Sequence, residues 1–197
     1  MTAADFPVLH AVRLGGFADS ERVAERAMLP GPAVEETLRE LESRGYVEFM
    51  DFTGSGGWIL TEGGRMHDAR LQADEMAGPG IRGLVESAAA EFEQVNPRLV
   101  RVVTEWQLAG VDSGRSEARE RVISELGDLY LEFDELMEQL VGAVPRYGRY
   151  PRQFASAVDR ARTGEDEWIA GIGIPSCHAV WAELHQDFIS GLGRERR

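Results

Sequence analysis

The sequence predicts a mainly α-helical protein with one small β-hairpin: an N-terminal helix-turn-helix closed by the hairpin, then a C-terminal helical bundle. Three observations carry this. Apolar residues recur at helical spacing through most of the 197 residues, the mark of amphipathic helices. Residues 46–52 and Trp58-Ile59-Leu60 are rich in aromatic and β-branched types and flank Thr53-Gly54-Ser55-Gly56-Gly57, a hairpin signal. Ala77-Gly78-Pro79-Gly80 breaks any helix and separates a domain at 1–76 from one at 81–197.

Each N-terminal element has its own signal. Ser20 is suited to cap a helix whose Val23, Ala24, Ala27 and Met28 share one face. Leu29-Pro30-Gly31 ends it, because Pro30 lacks an amide donor and Gly31 tolerates positive φ. Pro32 fits the first position of the next helix, Val34, Leu38 and Leu41 give it a buried stripe, and Gly45 stops it. After the hairpin, Thr61 caps a helix from Glu62 to residue 76.

This order closes on Leu60-Thr61-Glu62-Gly63-Gly64-Arg65. Over residues 18–65 it resembles the winged helix-turn-helix of the MarR and PadR families of transcriptional regulators. The resemblance implies a cytoplasmic, non-enzymatic regulator that reads palindromic operator DNA as a homodimer and takes no cofactor. It places DNA contacts at Arg22 and Arg26 on the preceding helix. On the groove-entering helix and its end it places them at Pro32, Ala33, Glu36, Thr37, Arg39 and Arg44, and in the wing at Thr53 and Ser55. MarR-like regulators also hold small-molecule effectors between the winged helix and the dimer helices.

Charge points the other way. The chain has a formal net charge of −13, and residues 1–75 carry 14 Asp and Glu against 7 Arg. Phosphate contacts by basic side chains supply most non-specific DNA affinity, yet Glu35, Glu36 and Glu40 surround Arg39 and residues 46–60 hold no basic residue. A MarR-like wing would bring an Arg there. The alternative reading is a winged helix reused as a protein-interaction module, with its acidic helix facing a basic protein partner.

The other residues bound the possibilities. No apolar run approaches the roughly 18 to 20 residues of a membrane span, and no basic-then-apolar signal peptide opens the chain. A single cysteine, Cys177, excludes an internal disulfide and fits a reducing cytoplasm.

Beyond residue 80 the pattern is helical. One helix is expected over 81–95 through Ile81, Leu84, Val85, Ala88 and Phe92, and a separate one from Asn96-Pro97 to Leu108 through Leu99, Val100, Val103 and Trp106. Residues 110–114 read as a loop. The helix at 116–143 carries Val122, Leu126, Leu129, Phe133, Leu136 and Leu140 at alternating spacings of four and three, either a bundle core stripe or a dimer seam. Pro145-Arg146-Tyr147-Gly148-Arg149-Tyr150-Pro151 reads as a solvated connector, or as an anion grip through the arginine fork. A short helix from Pro151 to Arg162 and a last one from Ser176 to Leu192 precede the charged tail at 194–197.

Chemical motifs are few. GxSxG, P-loop, GxGxxG, HExxH and CxxC are absent, which leaves an enzyme or cofactor carrier built on the helical domain as the weakest reading. His178 and His185 are two helical turns, about 10 Å, apart, too far to share one metal ion from a single helix, so no metal site is expected. Cys177 reads as a buried inert thiol. The candidate effector residues are Trp106, Gln107, Trp168, His178, Trp181 and His185, with an anionic ligand only where Arg98, Arg101 or Arg149 turns inward.

Overall fold

The computed structural model describes residues 4–52, 55–109 and 115–193. The protein is mainly helical with a small two-stranded antiparallel hairpin, and it forms two compact units that meet in sequence at Pro79 and Gly80. The expected loop at 110–114, the expected contact residue Thr53 and the tail at 194–197 lie outside the described residues.

In the first unit, α1 (Asp5–Gly15), α2 (Ser20–Ala27) and α3 (Gly31–Ser43) precede β1 (Val47–Phe52), β2 (Ser55–Leu60) and α4 (Glu62–Met76). Val8, Leu9 and Val12 of α1, Val23 of α2, and Val34, Leu38 and Leu41 of α3 are fully buried in one core. Each such side chain contributes about 1.5–3 kcal/mol by leaving water, so this small core sets how α3 is mounted.

Several local expectations are corrected. Asp19, not Ser20, caps α2: its carboxylate accepts from the Arg22 amide at 2.9 Å. The Ser20 hydroxyl instead accepts from Trp58 Nε1 at 3.1 Å, while Trp58 and Ala18 exchange backbone hydrogen bonds. Met28 ends α2 in the left-handed region at φ 54° and is exposed rather than packed on the core face. Gly31 does not use its tolerance of positive φ: it is the first residue of α3, which puts Pro32 second rather than first. The α3 stop is as expected: Gly45 has φ 74°, its amide reaches Glu42 O at 2.8 Å and the Tyr46 amide reaches Leu41 O at 2.9 Å. These two bonds close a Schellman turn.

The hairpin is tighter than expected. Pairing runs from Val47↔Leu60 to Phe52↔Ser55, so Ser55, Gly56 and Gly57 belong to the strand, not to the turn. A Cβ on Gly56 would overlap the Phe49 ring, and one on Gly57 the Phe17 ring. These glycines mark close approach of aromatic side chains. Thr61 caps α4 by accepting from the Gly64 amide at 3.0 Å.

The second unit contains α5 (Ile81–Leu108), α6 (Arg115–Ala143), a 3-10 turn at Pro145–Gly148, α7 (Arg149–Arg162), α8 (Glu167–Ala170) and α9 (Cys177–Gly191). The break expected at Asn96-Pro97 is absent, and α5 runs through Pro97. An interior proline costs about 3 kcal/mol. Phe92 and Leu99, buried on either side of it, hold both halves in one core and offset that cost.

On α6 the stripe passes through Met137, fully buried, rather than Leu136, which is half-exposed. Val122, Leu126, Leu129, Phe133, Met137 and Leu140 are all buried within this chain. The stripe is therefore a core stripe and does not supply a dimer seam. Val100, expected on the apolar face of α5, is 54% exposed, and Val102 is buried beside Val103. Ser176 caps α9, accepting from the Ala179 amide at 3.2 Å.

Candidate nucleic-acid interface

The i, i+3, i+4 spacing on α3 turns Val34, Thr37, Leu38 and Leu41 inward and leaves Pro32, Ala33, Glu35, Glu36, Arg39, Glu40 and Glu42 exposed. Of the expected contact residues, Pro32, Ala33, Glu36 and Arg39 thus share an outward surface. Thr37 does not: it is buried, and its hydroxyl donates to Ala33 O at 2.8 Å. It shares the core side of the helix with Leu38 and Leu41, which corrects its assignment as a contact.

The cations differ in availability. Arg39 is exposed and has no carboxylate within salt-bridge distance among the described residues. Arg44 Nη1 donates to Asp5 Oδ2 at 2.7 Å, and its guanidinium lies 4.9 Å over the Tyr46 ring. That hydrogen bond raises the Arg44 pKa and fixes the charge beside a fully buried carboxylate. Arg22 Nε is 3.6 Å from Asp19 Oδ2, and Arg26 is half-buried and already engaged within the protein. Ser55 is exposed at the start of β2.

The six candidate effector residues do not converge. Trp181 is enclosed by the rings of Phe92, Phe133 and Phe154 at centroid distances of 4.6, 5.1 and 5.6 Å, and its Nε1 donates to Asn96 Oδ1 at 3.0 Å. His185 joins that cluster, 5.7 Å from Phe92, with Nε2 2.7 Å from Glu93 Oε1. Trp106 lies under the Arg115 guanidinium at 4.0 Å and Trp168 under that of Arg160 at 4.1 Å. Gln107 and His178 are exposed, so His178 does not share the buried face of Trp181.

The Arg-Tyr segment is neither a solvated connector nor a vacant anion grip. Tyr147 and Tyr150 are fully buried, Arg146 Nη1 donates to Asp187 Oδ2 at 2.6 Å, and Arg149 Nη2 is 2.6 Å from Glu183 Oε1. Tyr150 also donates to Asp187 at 2.8 Å, and burial pushes its hydroxyl well above the usual tyrosine range. Arg98 is likewise engaged, by Glu132 and Glu125, whereas Arg101 is exposed. Cys177 is buried, which raises its thiol to about 12 and keeps it protonated at neutral pH.

The residues that sequence reasoning missed are carboxylates. Asp5 holds Arg44, and Asp187 holds Arg146 and Tyr150. Asp68 collects His10 Nδ1 at 3.1 Å, Arg13 Nε at 3.2 Å and Gln72 Nε2 at 2.5 Å. For Asp5 and Asp187, an aspartate on a largely apolar helical face was the available signal; the buried face of α4 also carries His67 and Gln72, and Asp68 had no such signal.

Among the described residues no group of three or more His, Cys, Asp or Glu is arranged to hold a metal ion, and no helix is long and apolar enough to cross a membrane. No family model matches the chain, and neither the curated proteins nor the solved structures contain a match to it.

Proposed function

We propose that the first unit is a winged helix of the MarR/PadR type and that the protein is a DNA-binding transcriptional regulator acting as a homodimer. One observation carries this: α3 is fixed by a single buried stripe, so its whole outer face projects from a small core that also holds a two-stranded hairpin. A helix presented in this way fits the major groove. Arg39 supplies the phosphate or base contact, with Pro32 and Ala33 giving close approach at the start of α3. Because the α6 stripe is consumed inside the protomer, the dimer rests on outward residues such as Leu131 and Leu108, 66% and 80% exposed.

With so few available cations, binding is modest and steeply salt-dependent. The test is a mobility-shift titration against the DNA upstream of the protein's own gene at about 50 and 200 mM salt. Arg39→Ala weakens binding, and Glu36→Gln strengthens the non-specific component. A folded dimer that shifts no fragment at low salt refutes the proposal, as does a concentration-independent monomer in light scattering.

A second reading has its own observation. Between α2 and α3 lies an open cleft of about 610 Å³ whose apolar lining includes Ala24, Met28 and Leu29, with Glu21, Glu25 and Glu35 around it. Apolar surface edged by carboxylates suits a basic protein segment, and this reading takes precedence where DNA binding fails.

A further inference from the structure

We propose that the groove between α5 and α6 is a docking site for a cationic amphipathic helix of a partner protein. The groove has a volume of about 450 Å³; Leu84, Val95 and Leu136 are among its apolar walls, and Glu91, Glu132 and Glu135 stand along it. It belongs entirely to the second unit and is independent of whether α3 binds DNA.

Leu136 is the key residue. Alternating spacing assigned it to the core stripe, but Met137 takes that place and leaves Leu136 half-exposed in the groove. Leu84 and Val95 are half-exposed in the same way. From Leu84 to Val95 the groove follows α5 for about 16 Å at the helical rise. That length admits about three turns of a second helix, anchored at positions such as i, i+4 and i+7.

Charge decides the occupant. Glu132 is offset by Arg98, whose Nη1 donates to it at 2.5 Å. Glu91 accepts only a hydroxyl bond, from Ser87 at 3.1 Å, and neither it nor Glu135 has a cation within salt-bridge distance among the described residues. A second copy using the same face would bring these glutamates towards their own symmetry mates, and like charges across an interface oppose association. Nucleic acid and anionic membranes are repelled for the same reason. A helix with a leucine stripe flanked by Lys or Arg satisfies both features, covering the apolar wall while pairing Glu91 and Glu135.

The test uses the full chain and a fluorescein-labelled synthetic 18-residue helix with leucines on one face and lysines beside them, followed by anisotropy. The expected result is saturable binding that weakens at least tenfold when the peptide is scrambled or its lysines become glutamates. The Glu91→Lys, Glu135→Lys double variant loses at least tenfold in affinity while keeping the wild-type thermal melt. A photoreactive leucine in the peptide cross-links to residues 84–95 and 132–140, an outcome that requires no variant to fold. The proposal is overturned by equal binding of the scrambled peptide, by no binding at millimolar concentration, or by cross-links confined to the α2–α3 cleft. A dimer that dissociates in Leu136→Glu also overturns it, because the occupant is then a second copy.

Discussion

Arg39 on α3 and Arg149 at the start of α7 come from a cation-poor and a cation-rich stretch of the chain, and their situations are opposite. Residues 145–152 hold three arginines, and all three are engaged: Arg146 by Asp187, Arg149 by Glu183, and Arg152 by Gly148 O. The α3 face holds four exposed glutamates, and its one outward arginine has no such partner among the described residues. A high local density of arginine is therefore not by itself an anion site. A buried guanidinium requires a carboxylate from its own protein, because removing its charge from water costs several kcal/mol unless it is paired. An exposed arginine with no acceptor of its own protein beside it stays hydrated and remains available to a ligand.

The strongest way to break this contrast is Asp187→Ala. It strips the buried carboxylate from Arg146 and Tyr150 and should cost about 3–5 kcal/mol, the range for removing one partner of a buried pair. Urea unfolding monitored through Trp181 reports it. A loss well under 1 kcal/mol would mean that the network contributes little.

Asp5→Ala sharpens the contrast from the other side. Arg44 loses a fully buried partner, but its side chain is 34% exposed and can rehydrate. The expected loss is about 1–2 kcal/mol, discounted for solvent. The freed guanidinium should also raise non-specific DNA affinity at low salt. Unchanged or weaker DNA binding would show that Arg44 is not limited by its attachment to Asp5.

A smaller effect depends on pH. His67 stacks on Tyr46 at 4.3 Å and its Nε2 is buried without a hydrogen-bond partner among the described residues. Burial first, then the charges of Arg70 and Arg44, lower its pKa. The folded state therefore resists a proton that the unfolded chain accepts near its ordinary value of about 6.5. Stability is retained above that pH and declines as pH falls through it. The difference between wild type and His67→Phe, measured from pH 7.5 to 5.5, should show the decline in wild type alone. Parallel curves would remove His67 as the cause.

The smallest effect on stability belongs to Arg39→Ala. The side chain is exposed and has no ion-pair partner among the described residues, so unfolding should change by no more than about 0.5 kcal/mol. DNA affinity should fall, with the salt slope reduced by about one. A substantial loss of stability would show a structural role and dissolve the contrast with Arg149.

Much of the first unit was legible because its signals are local. Val34, Leu38 and Leu41 read as one buried face, Gly45 as a left-handed stop and Thr61 as a cap, and the structure shows each of these. Other elements failed for identifiable reasons. Asp19 and Ser20 are both good caps, and the Trp58 indole takes Ser20 from across the unit. Pro97 signals a helix start until Phe92 and Leu99 are packed into one core. Leu136 and Met137 are adjacent apolar residues, and an idealised alternation of fours and threes selected the wrong one. The candidate site was legible only as a helix surface. Sequence spacing placed Pro32, Ala33, Glu36 and Arg39 together, yet gave no indication that Arg44 is held by Asp5.

The sequence alone determined the helical character, the hairpin, the break near Gly78-Pro79 and the acidic surface of α3. Those follow from periodicity, backbone preferences and charge count, which act over a few residues. Only the tertiary structure decided which charges face solvent. Asp5 and Arg44 are 39 positions apart, Arg146 and Asp187 41, and Glu93 and His185 92. Such pairs form when cores bring distant helices within hydrogen-bonding distance, and no local pattern encodes that meeting.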